Sequence, residues 1–121
     1  LGGNYTCGAY NETWDMSIDQ TQQNGATVYT RTGGQTEGTF IADGKVRPHT
    51  VSANGEEIRG TLSTTCSGSK VTIQFLAQYQ GSPIDFTEKM DASNGVLSVS
   101  GTTKMGGQVI DSSNHECKLN N

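Results

Sequence analysis

Apolar residues make up only 31% of this 121-residue chain, and none of their runs approaches the length needed to cross a bilayer as a helix. So thin an apolar content admits two explanations, disorder or a thin-cored β-protein with one wet face per strand. Disorder goes with high net charge and few aromatic or β-branched residues. The net charge here is only −4 and the apolar residues sit in alternating runs, which selects the β-protein. Basic clusters are lacking too. An acidic balance with no basic patch argues against nucleic acid and anionic membrane surfaces as partners.

Catalytic and metal-binding signatures are also scarce. The chain has two histidines, His49 and His115, and contains no nucleophile elbow, phosphate loop or zinc-protease motif. Asp85 and Glu88 flank Phe86 on one predicted strand, but residues three apart point to opposite faces, which spoils an acid–base pair. Glu56 and Glu57, beside a turn, read as solvated charges. His115-Glu116-Cys117 lacks the second ligand pair of a zinc site. Asp15, Asp19, Asp43, Asp85 and Asp91 show no calcium-loop spacing. The expectation is a non-enzymatic protein without metal or cofactor.

No initiating methionine or signal-peptide pattern precedes Leu1, which fits a mature chain after signal removal or a trimmed one. With three cysteines and a Thr/Ser/Gly-rich composition, this leans toward an oxidising, secreted or cell-surface setting.

What the chain does have is regular punctuation. Turn signals fall at Asn24-Gly25, Gly33-Gly34, Asp43-Gly44, Asn54-Gly55, Ser67-Gly68, Gly81-Ser82-Pro83, Asn94-Gly95 and Gly106-Gly107. Asn-Gly, Asp-Gly and Gly-Gly supply the positive φ that tight hairpins require. Eight turns imply an all-β antiparallel meander of about 8–9 short strands. They are placed near Thr13–Thr21, Thr27–Thr32, Gly38–Ala42, Val46–Ala53, Ile58–Thr65, Val71–Tyr79, Ile84–Met90, Val96–Thr103 and Val109–Leu119. Val71–Tyr79 is the clearest. Its odd positions are Val, Ile, Phe, Ala and Tyr and its even positions Thr, Gln, Leu and Gln, so the odd set faces the core. Leu76 is the apolar exception on the even face. It is exposed if the domain is a monomeric barrel and covered if a second layer or a neighbouring chain lies there.

Gly38-Thr39, Gly60-Thr61 and Gly101-Thr102 each follow a turn, and glycine within a strand marks a bulge or sharp bend. Such bends let a sheet curl into a barrel or sandwich. In rhythm the pattern resembles small secreted up-and-down barrels of the avidin or lipocalin kind. It carries no diagnostic motif of either, so no binding residue transfers.

Residues Leu1–Asn11 are glycine-rich and lack clear alternation, and they read as an N-terminal arm ahead of a single β-domain spanning residues 12–121. The cysteines allow three single disulfides. Alternating strand direction brings Cys66 and Cys117 to the same end of the sheet and favours a bridge between them, leaving Cys7 unpaired or intermolecular. A Cys7–Cys117 bridge joining the termini is almost as well supported. Asn4-Tyr5-Thr6 and Asn11-Glu12-Thr13 match the N-glycosylation sequon, making Asn4 and Asn11 candidate glycan sites. Tyr5, Tyr10 and Trp14 are candidate contacts for a sugar or a partner, or else simply cap the core.

Two functions fit these features. One is a structural subunit that self-associates into an extracellular fibre or coat, with the arm adding a strand to a neighbour's sheet. The other is a monomeric secreted binding module for carbohydrate, a small ligand or an enzyme.

Overall fold

The computed structural model describes residues 1–9, 11–33 and 37–120, apart from the side chain of Ala53; Tyr10 and Gly34 lie outside this set. Ten strands run in chain order: β1 (Gly3–Ala9), β2 (Glu12–Gln23), β3 (Ala26–Thr32), β4 (Gly38–Ala42), β5 (Arg47–Ala53), β6 (Glu56–Ser67), β7 (Lys70–Tyr79), β8 (Ser82–Ser93), β9 (Val96–Met105) and β10 (Gln108–Leu119). All pairings are antiparallel, in one sheet ordered β4-β3-β2-β1-β10-β9-β8-β7-β6-β5, curled into a half-barrel. The antiparallel all-β expectation holds, with ten strands in one sheet.

The turn chemistry explains the meander. Asn24, Asn54 and Asn94 take φ of 50°, 52° and 52°, and the glycines that follow take 82°, 78° and 77°. Two successive positive φ values are those of a type I′ hairpin, whose twist matches that of the flanking strands.

The first eleven residues correct the expectation of an arm. Gly3–Ala9 form β1, in the middle of the sheet, paired with β2 on one side and β10 on the other. Tyr5 and Cys7 point inward and are buried, while Asn4 and Gly8 are exposed on the other face. β1 therefore closes the meander onto its own last strand. The disulfide follows from that placement. Cys7 and Cys117 are directly opposite in the β1–β10 register and are bonded, and Cys66 is free and exposed. The Cys66–Cys117 pairing is thus corrected to Cys7–Cys117. Both cysteines do lie toward the same end of the sheet, but β9, β8 and β7 stand between β10 and β6, whereas β1 lies directly beside β10 and brings Cys7 opposite Cys117.

The inward face carries the core: Tyr5, Met16, Ile18, Tyr29, Phe40, Val71, Ile73, Met90, Leu97 and Val99 around the disulfide. On β7, Val71, Ile73 and Phe75 are buried and Leu76 is 45% exposed on the outer face, which no second layer among the described residues covers. The sheet is interrupted between β4 and β5, its two edges. There the connecting segment is fastened to β6 by the Gly44 amide donating to the Thr64 carbonyl at 2.9 Å. It is stiffened by Arg47, which donates twice to the Asp43 carboxylate at 2.9 and 2.6 Å. That guanidinium and the Lys45 amide hold the Asp43 carboxyl well below the usual carboxylate range. Burial, with the neighbouring Cys66 thiol of β6 adding to it, pushes the Tyr29 hydroxyl of β3 above its ordinary value.

Candidate functional site

The hairpins alternate between two ends of the half-barrel. The end that holds Leu1, Asn120 and the β2–β3, β6–β7 and β8–β9 turns is filled by core side chains, among them Tyr5, Ile18, Val71 and Leu97. At the opposite end, which holds the β1–β2, β7–β8 and β9–β10 turns, a cavity of about 330 Å³ opens between β2 and strands β8–β10. A volume of that size lies within the small-molecule range.

Alternation delivers its walls. Trp14 precedes Met16 and Ile18 by even steps on β2, so it shares their inward face, and it is half-buried at the mouth. His115 lies two residues before Cys117 on β10 and points inward for the same reason. The Trp14 and His115 rings meet edge to face with centroids 5.1 Å apart and planes at 67°. Burial pushes the His115 imidazole below its ordinary 6.5, with Glu88 opposing and Arg31 reinforcing that shift. Deeper in, Arg31 from β3 donates to Glu88 from β8 at 2.9 Å, with side-chain exposures of 3% and 10%. The same guanidinium lies 5.1 Å from the Phe40 ring centroid and donates to Met90 Sδ at 3.4 Å. A buried ion pair needs such extra partners, because desolvating two charges offsets much of their attraction.

Two local irregularities shape the space. Gly101 on β9 lies opposite Ser113 and Glu88, and its missing side chain leaves room beside the Phe86 ring. The β9–β10 ladder shifts register between Val109 and Asp111. A bulge re-aims the side chains next to it, and Asp111 comes to the cavity rim, which Glu12 of β2 also lines.

The sequence-derived candidates are distributed differently. Trp14 is in the cavity wall; Tyr5 is not, being buried in the core with its hydroxyl donating to the Leu1 carbonyl at 2.6 Å. Tyr10 lies outside the described residues. Asn4 is exposed in mid-sheet, its Oδ1 accepting from Ser17 at 2.7 Å. Asn11 sits exposed in the β1–β2 turn with φ of 63°. Asp85 and Glu88 do face opposite ways, Glu88 inward and Asp85 outward beside Gln74 and Thr87. Cys7, His115 and Cys117 place their ligand atoms within 4.8 Å of one another, but two of the three are spent in the disulfide. Sequence reading passed over Arg31 and Phe86. Parity with Tyr29 and Met90 would have placed both on the inward face.

No protein-family model matches this chain, and a search of curated proteins gives no match.

Proposed function

We propose that the protein is a non-enzymatic, extracellular binding module that takes a small ligand into the open end of its half-barrel. The observation that carries this reading is the 330 Å³ cavity, walled by Trp14 and Phe86 and floored by the Arg31–Glu88 pair. An apolar wall with a few convergent polar groups is the usual composition of a ligand site. The aromatic rings give a flat contact surface and the polar groups orient what lies on it. A fragment screen by ligand-observed NMR, with Trp14 fluorescence as the second readout, tests it. Hits should disappear in Gly101→Val, because the atoms nearest a Cβ there are Ser113 Oγ at 3.4 Å and the Phe86 ring at 3.5 Å, so the added side chain enters the cavity without a backbone clash at Cβ. No hits, or hits indifferent to that substitution, refute the proposal.

The unpaired edges support a second reading, a structural subunit that self-associates. Among the described residues, β4 and β5 each have a strand neighbour on one side only, and an open edge offers main-chain hydrogen bonds to another strand. In this version assembly runs through those edges, since β1 is an interior strand of its own sheet. Sedimentation velocity over a wide concentration range tests it; a monomer throughout refutes it.

A further inference from the structure

We propose that the ligand of this cavity is an organic cation of the alkylated or quaternary ammonium class. This deepens the small-ligand reading above and rests on it. The argument is one of charge. Among the described residues, four of the cavity's side chains are charged: Glu12, Arg31, Glu88 and Asp111. Arg31 and Glu88 satisfy each other at 2.9 Å, and the guanidinium is engaged further by Phe40 and Met90. The excess charge is therefore that of Glu12 and Asp111, two exposed carboxylates at the rim. His115 adds no opposing charge at neutral pH, since burial favours its uncharged form.

An anionic ligand would have to pass both rim carboxylates and then compete with Glu88 for Arg31. A neutral sugar could stack on Trp14 but would gain nothing from the rim. An ammonium gains from both, because the negative face of an indole attracts a cation within about 6 Å of its centroid and carboxylates at the entrance focus cations toward it. The overall charge of −4 acts in the same direction. Methylation suits such a cation to the site, since a quaternary nitrogen is weakly hydrated and demands no hydrogen-bond acceptor.

Three probes of nearly one shape separate the possibilities: choline, its uncharged isostere 3,3-dimethyl-1-butanol, and the anion 3,3-dimethylbutanoate. Trp14 is the only tryptophan in the chain, so its fluorescence reports this cavity without interference. Choline should bind saturably and about tenfold or more tightly than the alcohol, the butanoate not at all, and added salt should narrow the gap. The variant Glu12→Gln/Asp111→Asn, altered at two exposed positions, should keep its circular dichroism and bring choline and the alcohol to within about twofold. Equal affinity of choline and the alcohol, or preference for the butanoate, overturns the cation assignment and leaves the small-ligand reading standing. Failure of choline alongside screen hits that Gly101→Val abolishes does the same. Failure of all three probes together with an empty fragment screen overturns both.

Discussion

Cutting the bond between Cys7 and Cys117 is the sharpest test of the architecture. The bridge closes a separation of 110 residues, nearly the whole chain. In the chain-entropy treatment, a loop of that length restricts the unfolded ensemble by about 16 cal/mol/K, or about 4.8 kcal/mol at 25 °C. A domain of this size has about 5–15 kcal/mol of total stability, so the bond supplies a third or more of it. The perturbation is Cys7→Ala/Cys117→Ala. Alanine is preferred to serine because both positions are essentially fully buried, and a buried hydroxyl without a partner would add a desolvation cost of its own. Urea unfolding followed by circular dichroism should show the midpoint falling by an amount worth about 3–5 kcal/mol. Cys66→Ala should change it by less than about 1 kcal/mol, as that side chain is exposed. Before any denaturation, native protein should present one thiol to an aromatic disulfide reagent. Two results would refute the reasoning. One is a loss below about 1 kcal/mol in the double variant. The other is a peptide map, made without reduction, that joins Cys66 to either of the others.

Other expectations follow from the same geometry. Arg31→Met strands the Glu88 carboxylate and should cost about 3–5 kcal/mol, whereas Arg31→Met/Glu88→Leu should cost less than the single change, as a double-mutant cycle would show. His115 has a lowered folded pKa, so the unfolded chain binds more protons between that value and 6.5. Its contribution to stability is therefore present above pH 6.5, falls as the pH drops through that window, and is constant below it. Urea midpoints across the window should be steeper in pH for the native chain than for His115→Asn. Gly60→Ala should destabilise by about 1–3 kcal/mol, since a Cβ there would overlap the Leu76 carbonyl and the Ala77 side chain.

The strands were legible wherever alternation was long. Val71–Tyr79 declares its inward set at five odd positions, and the structure buries the first three and half-buries Ala77 and Tyr79. β1 was illegible for a physical reason: only Tyr5 and Cys7 carry its buried face, and Gly2, Gly3 and Gly8 dilute the signal. That single omission also misdirected the disulfide, because Cys117 could not be matched to a neighbour that had not been recognised as a strand. Trp14 could be placed at the entry to the first long strand by sequence. Its company could not, since Arg31 and Glu88 are 57 residues apart and meet only through the curl of the sheet. The bulge that brings Asp111 to the rim has no glycine or proline within Val109–Asp111 to announce it.

The bond between β1 and β10 also decides how the molecule would respond to pulling. Tension applied to the chain on either side of the bridge enters at Cys7 and leaves at Cys117. Everything from Cys7 to Cys117 is a covalent ring lying off the line of force, so the load passes from end to end across one sulfur–sulfur bond while the sheet, its cavity and its hairpins stay slack. A tethered copy would carry the load across that bond with its sheet still folded. Under reducing conditions the same pull would peel β1 from β2 and β10 and lengthen the chain by tens of nanometres as the sheet unravels, at about 0.35 nm per residue.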